Sequence, residues 1–469
     1  MPCMGKEVCI PHTYSYIVQK PDPLIEWYEA YRDIGNRRFR EFQGADASTV
    51  IQAAINALPT TDYEGDVFIK RATYDVASDI AIGKRTRLIA EMGTVFNVTA
   101  NPTLACIVIS SLNNEARWGI EGLKIDMNYY DGHAIYSAHA SQTGHEGHPT
   151  LKNIKIQEIE AGYCGIYLID PFMISGDNIE IRSNKGTGMK FGINETKTVH
   201  FGNSHFSNIF IGVNANNAIG LHIVSGDTYV FCLSTFDRLQ VNSLTSYTGN
   251  VGVKLEGVQN CKFGHLNIEF CEQGLVLQST GGNKETVWNE FYSPYIYGCD
   301  GDAVYIGNGA TRNSFYGGKL GVDAAGNDLI DDNNYFTTYS KYRYNYFNNV
   351  NLGTTGDKNL GWASILRDCY NFNPIGIIAL PFGTVFNMVS VHPTQGAAAL
   401  PTTGVTYRVA GVDMLITSTG GTGMDIDIFD PAGTEYISNL ATLTQFLLPV
   451  GYSIRFTYTG TPTIIVSGI

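Results

Sequence analysis

The chain is poor in charge. Only 16% of its 469 residues are Asp, Glu, Lys or Arg, against about a quarter in an ordinary soluble domain. A surface carried by Asn, Thr, Ser and Tyr instead is expected of an extracellular or viral protein rather than a cytosolic enzyme. Bases are the scarcer sign, 31 Lys and Arg against 44 Asp and Glu, for a net charge of −13. No cluster of bases interleaves with aromatics in the repeats, so nucleic acid is not expected as a partner. The basic run Arg37-Arg38-Phe39-Arg40 reads as a solvated strand edge. No apolar run reaches 18 residues, so no membrane insertion is expected. The opening Met1-Pro-Cys-Met-Gly-Lys-Glu has neither the basic nor the apolar region of an export signal. An outside-type protein without that signal needs another route, and assembly into a released particle is one.

What is present is repetition. From about residue 118 to 352 a short β-branched run is followed by turn residues and then by Gly with apolar–x–apolar. It reads Leu151–Ile159 then Gly165-Ile-Tyr-Leu, Asn178–Ile181 then Gly188-Met-Lys-Phe, and Phe206–Ile211 then Gly212-Val. It recurs as Phe236–Val241 then Gly252-Val-Lys-Leu, Phe263–Phe270 then Gly274-Leu-Val-Leu, and Phe291–Tyr297 then Ala303-Val-Tyr-Ile. A repeat of roughly 20–50 residues is one supersecondary unit stacked many times, and here the unit is strand and turn with little room for helices. Parallel stacking of such units makes an all-β, right-handed parallel β-helix, whose long flanks suit polymeric ligands. Nine cysteines cannot all pair. Cys164, Cys271 and Cys299 each precede the Gly or its equivalent and read as a buried ladder of free thiols.

Residues 1–45 read as an arm of strands, Tyr14–Lys20 and Ile25–Tyr31 around Pro21-Asp-Pro23. Residues 46–373 read as the β-helix, opened by an amphipathic helix with Val50, Ile51, Ala54, Ile55 and Leu58 on one face and Asp or Ser as N-cap. Such a helix would cap the apolar end of the first rung. The next rungs are Gly65–Tyr74, Ile80–Ile82 and Thr86–Ala90. Residues 374–469 change pattern. Strand-like runs at 382–391, 403–409, 413–419, 425–429, 451–458 and 463–466, with a turn at Asp430-Pro-Ala-Gly433, suggest a C-terminal β-sandwich or jelly roll.

The stretch Asp46-Ala-Ser-Thr-Val-Ile-Gln-Ala-Ala-Ile-Asn-Ala-Leu58, with Gly-x-Val-x-Ile, Ala-Thr-Tyr, Ile-x-Ile and Thr-x-Leu-Ile after it, resembles the opening of pectate-lyase-like β-helix proteins. Polygalacturonases and viral tailspikes share it. The resemblance covers residues 46–100 and, in pattern only, the repeats to 352. It speaks for fold rather than activity. It implies a tailspike- or fibre-like homotrimer on a virion surface, partnered by a polysaccharide or glycoprotein glycan. The alternatives are a secreted polysaccharide hydrolase or lyase whose sandwich binds carbohydrate, and a structural or adhesive surface protein without activity.

The polygalacturonase motifs Asn-x-Asp, Gly-His-Gly and Arg-x-Lys are missing, as is the Trp-Ile-Asp-His of calcium pectate lyases, and the sole Asp-Asp is Asp331-Asp332. Both activities are disfavoured, and no cofactor is called for. One acidic constellation remains. Aligning the repeats on Cys271 and Cys299 stacks Glu272 over Asp300 and Glu269 over Tyr297, with Asp302 close by. Rungs lie about 4.8 Å apart, near the roughly 5 Å between carboxyls of a retaining hydrolase; a merely solvated acidic turn gives the same pattern. His133, His139, His145 and His148, with Glu146, read as a polar inserted loop rather than a metal site. Tyrosine is abundant, 28 residues. Tyr342, Tyr344 and Tyr346 alternate along one strand face, and Tyr295 and Tyr297 repeat the alternation, with Tyr292, Tyr305 and Tyr316 near. Such a stripe can stack on pyranose faces, or equally pack against protein.

Overall fold

A computed structural model describes residues 15–22, 24–34, 37–58, 65–83, 86–109, 118–138, 148–193, 201–244, 247–280, 284–307, 309–322, 327–331, 345–352 and 369, and beyond residue 356 otherwise only short strands. It is nearly all β and contains a parallel β-solenoid of about 8 turns. The chain divides into two units, Met1–Lys254 and Leu255–Ile469.

The first unit opens with three strands. Ser15–Gln19 pairs antiparallel with Tyr28–Ile34, and that strand with Arg37–Gly44. The second strand starts later than the alternation suggests. Asp22 Oδ1 accepts from Leu24 N, and Ile25 N donates back to Asp22 O, so the turn runs on to Trp27. The basic run is the start of the third strand, and Arg40 Nη1 donates to Glu29 Oε1 at 2.8 Å. The helix spans Ala47–Asn56 with Asp46 as its N-cap, accepting from Ser48 N and Thr49 N. Val50, Ile51, Ala54 and Ile55 are buried. Gln52 exchanges two hydrogen bonds with the backbone of Ala81, and Ser48 Oγ accepts from Ala77 N and Ser78 N. The helix is thereby pinned beside the first strands of the solenoid.

One sheet of this unit runs in parallel through Gly65–Ile69, Thr86–Val98, Gly119–Asp126, Thr150–Ile159, Ser175–Asn184, His205–Val213 and Thr235–Ser243. A second runs through Ile80–Ile82, Ala105–Ile109, His133–Ala138, Cys164–Ile169, Thr187–Gly192 and Ile219–Val224. Inward residues stack like on like. Ile154, Ile179, Ile209 and Leu239 share one register column and Ile156, Ile181, Ile211 and Val241 the next, all buried. Each such side chain contributes about 1.5–3 kcal/mol of burial. The recurrent glycine of the second sheet has a steric cause. A Cβ on Gly188 would stand 2.7 Å from Gly220 O of the next coil. The third repeat differs from the sequence reading here, because Gly212-Val213 still belongs to His205–Val213 and the equivalent glycine is Gly220.

Long strands bend at left-handed residues. Asn153, Asn178, Asn208 and Arg238 stack at φ near +54°, a conformation that asparagine adopts more readily than most side chains. Asn178 Nδ2 donates to Asn153 Oδ1 at 2.8 Å, tying one bend to the next.

In the second unit the same plan has shorter strands. Lys262–Gly264, Glu290–Tyr292, Ser314–Tyr316 and Asn345–Asn348 stack in parallel. After a bend at His265, Ser293 and Gly317, so do Asn267–Glu269, Tyr295–Cys299 and Lys319–Val322. Phe263, Phe291, Phe315 and Phe347 form a continuous ring stack with centroids 5.0, 4.6 and 4.6 Å apart. Beside it runs an asparagine ladder. Asn289 N and Nδ2 donate to Asn313 Oδ1, and Asn313 N and Nδ2 donate to Asn345 Oδ1. All three are fully buried. Further on, Thr406–Arg408, Ser453–Thr457, Asp425–Phe429 and Glu435–Ile437 form one antiparallel sheet. Gln445–Leu448, Met414–Thr419 and Thr463–Gly468 form another. The expected turn at Asp430–Gly433 lies outside the described residues.

The seven described cysteines, Cys164, Cys271 and Cys299 among them, are free thiols. Among the described residues no helix is long and apolar enough to cross a membrane.

Candidate functional site

The outer face of the second unit is unusually aromatic. Trp288, Tyr292 and Tyr295 are 47%, 41% and 41% exposed, although each lies in or beside a strand whose alternate residues are fully buried. Their position follows from the pleat. Phe291 and Ile296 point inward, so Tyr292, Tyr295 and Tyr297 must point outward. Trp288 projects for another reason, since its left-handed backbone (φ 58°) turns the chain between buried Val287 and Asn289.

Parallel pairing sets these rings against one another. Tyr292 stacks on Tyr316 at 5.2 Å, and Tyr316 meets the edge of Tyr346 at 6.2 Å. Past the bend, Tyr295 and Tyr297 lie 6.1 Å apart, and Phe270 meets the edge of Tyr297 at 6.5 Å. Two cations lie on ring faces. Lys319 Nζ is 4.3 Å from the Tyr297 centroid and 5.9 Å from that of Tyr295, and the Arg312 guanidinium is 5.2 Å from Trp288. Tyr292 Oη donates to Glu290 Oε2 at 2.7 Å, and Glu290 is also 3.4 Å from Lys262. That bond to a carboxylate, with some burial, pushes the Tyr292 phenol up to about 12.

The acidic candidates adjoin this face. Glu269 pairs with Tyr297 across the ladder, and its Oε1 accepts from Asn267 Nδ2 at 3.3 Å. Beyond the left-handed Phe270, Asp300 N donates to Cys271 O and Gly301 N to Glu272 O. Glu272 and Asp300 therefore occupy paired positions on adjacent coils, the first half-buried and the second exposed. Asp302 is half-buried, and its carbonyl accepts from Gly274 N. The structure thus brings Glu269, Glu272, Asp300, Tyr295 and Tyr297 onto neighbouring positions of two coils, and Tyr346 onto the far side of Tyr316. Tyr342 and Tyr344 lie outside the described residues, as do Asp332, His139 and His145.

Sequence reasoning missed Trp288, Arg312, Lys319 and Phe270. The first two sit at left-handed bends, where no alternation marks them. Lys319 was legible only through its register with Tyr295.

His133 stands apart, in the first unit. Its Nδ1 accepts from Cys164 N at 2.9 Å and its ring stacks on Tyr136 at 5.4 Å. Burial, with Lys190 nearby, pushes its pKa down from 6.5 to about 4. Two carboxyls of that unit are shifted upward. Glu26 is raised by its hydrogen bond and repulsion with Asp75, and Glu158 by burial and then Asp126. Among the described residues no three His, Cys, Asp or Glu side chains group as a metal site.

No family model matches the chain, and no curated protein does. Among solved structures it is similar to ORF18 of Geobacillus virus E2, at 14% identity and a TM-score of 0.29, over 71% of this chain and 68% of that one. The Dettilon tailspike protein is similar at 9% identity and 0.38, over 69% and 65%. The tailspike gp49 of Acinetobacter baumannii bacteriophage Fri1, a capsular polysaccharide depolymerase, is similar at 10% identity and 0.28, over 93% and 94%. The neighbours include phage tailspike proteins, and the chain itself carries the parallel β-solenoid.

Proposed function

We propose that the chain is a tailspike- or fibre-like protein that binds a host-surface polysaccharide on the outer aromatic face of its second unit. The observation that carries this is the run of exposed rings in and beside parallel strands, Trp288, Tyr292 and Tyr295 above all. A phenol offers an apolar face to a pyranose and a hydroxyl to its substituents. A stacked β-ladder holds such rings at fixed intervals, which matches a polymer better than a small molecule. Tyr346 extends the face, and Tyr342 and Tyr344 are proposed to belong with it.

The test is a glycan array on wild type and on Tyr292→Ala with Tyr295→Ala. Aromatic contacts of this kind contribute about 0.5–1.5 kcal/mol each beyond buried area, so binding should fall more than about tenfold with the melting temperature nearly unchanged. Lost stability with intact binding would reassign the rings to packing.

A second reading adds cleavage, and the paired positions of Glu272 and Asp300 beside the rings favour it. One would be the acid and the other the nucleophile or base, with Glu269 and Asp302 as supporting carboxylates. Glu272→Gln and Asp300→Asn should each keep binding and cut turnover by about 10²–10⁴-fold. Equal cleavage by both variants and wild type would leave the pair as surface acid.

In the same proposal the protein is a homotrimer on the virion surface, as the resemblance of residues 46–100 implies. Residues 1–45 are the arm, the Ala47–Asn56 helix caps the β-helix of residues 46–373, and the antiparallel sheets of residues 374–469 form a sandwich.

A further inference from the structure

The two cations on the aromatic face say what kind of sugar it takes, an inference that rests on reading that face as the polysaccharide site. Lys319 and Arg312 are half-buried against Tyr297, Tyr295 and Trp288. Among the described residues no carboxylate forms an ion pair with either, whereas Lys262 on the same sheet is paired with Glu290. In a chain with 44 acids and 31 bases, a cation without a carboxylate goes against the overall balance of charge. A ring face attracts a cation but does not neutralise it, so each keeps donors for an incoming anion. The register orders the charge as well. Glu269 faces Tyr297 from one neighbouring coil, and Lys319 faces Tyr295 from the other.

Lys319 lies seven positions beyond Arg312, at most about 23 Å of chain at roughly 3.3 Å per residue. A polymer with a charge on each repeat can engage both. We propose that the face binds an anionic polysaccharide, whose sugar rings lie on the tyrosines and whose acid groups meet Lys319 and Arg312. A guanidinium takes a carboxylate or sulfate with two donors and a lysine takes it as a point charge, so the shared chemistry is the anion rather than one sugar.

The experiment measures binding of hyaluronate and alginate, their carboxyl-methyl-esterified forms, dextran sulfate and dextran. The proteins are wild type, Lys319→Met, Arg312→Gln and the double variant Tyr292→Ala with Tyr295→Ala. At least one acidic polymer should bind better than its neutral counterpart. Lys319→Met and Arg312→Gln should each weaken that binding about tenfold without moving the melting temperature, and added salt should weaken it in wild type. Preference for hyaluronate or alginate assigns the anion as carboxylate, and preference for dextran sulfate as sulfate. Equal binding of charged and neutral polymers, lost in the tyrosine variant, would overturn the charge assignment and leave the glycan site standing. Binding untouched by the tyrosine variant, or no binding by any polymer, would overturn both.

Discussion

At the scale of single residues, His133 shows how burial turns a titratable group into a structural one. Its Nδ1 is an acceptor for a backbone N–H, so only the uncharged ring fits. The folded state holds its pKa near 4 against 6.5. Between those values the unfolded chain binds the proton that the folded one refuses. The stabilisation is therefore complete above pH 6.5 and is lost as the pH falls through 4. With allowance for solvent screening of a partly exposed ring it amounts to about 1–2 kcal/mol. His133→Asn keeps an acceptor and removes the titration. Its melting temperature should fall less than that of wild type between pH 7 and 4, and equal slopes would show that the histidine titrates normally. The same residue explains part of what sequence pattern could not give. Grouped with His139, His145 and His148 it looked like one polar loop, yet it opens the strand His133–Ala138 and packs among Tyr136, Tyr163 and Tyr167.

At the scale of elements, the asparagine ladder and the first helix carry separate loads. Asn313, fully buried, accepts from Asn289 and donates to Thr286 O and Asn345 Oδ1. Asn313→Ala leaves several buried groups unpaired at about 1–3 kcal/mol each, so urea unfolding should show a loss of about 3 kcal/mol or more. Ser314→Ala, one residue away and half-buried, should cost little. Ile51 is fully buried in the Ala47–Asn56 helix, and Ile51→Asp should destabilise by several kcal/mol or prevent soluble expression. Normal stability of that variant would mean the helix is dispensable to the coil it touches. The ladder was legible in principle, since Asn289-Glu-Phe, Asn313-Ser-Phe and Asn345-Tyr-Phe repeat, and Ser204-His-Phe and Ser234-Thr-Phe put a hydroxyl at the matching place. The glycine column was legible because the next coil crowds a side chain there, and only a small residue replaces it, as Ala134 and Ala303 do in their coils. The bends were not, because Asn153, Arg238, His265, Ser293 and Trp288 all adopt the same backbone. Asparagine marks some of these bends, as at Asn153, Asn178 and Asn208, but no one residue type marks them all.

At the scale of the molecule, 44 acids against 31 bases set a pI near 5.2. Solubility should be lowest around that pH and rise on either side, which turbidity against pH will check. Light scattering should return three times 51.3 kDa for the proposed trimer, and a monomer in native buffer would sink it. The solenoid also has a consequence in time. Phe315 pairs with Phe291, 24 residues back, and with Phe347, 32 residues on. Neither partner is local, and the same holds for coil after coil. A chain held this way folds slowly, because each contact must first close a long loop. It also comes apart slowly, since a middle coil can be released only with the ladders on both of its sides. How long the protein lasts is then set by an unfolding barrier as well as by its equilibrium stability. Slow and fast heating of the same sample will give different midpoints.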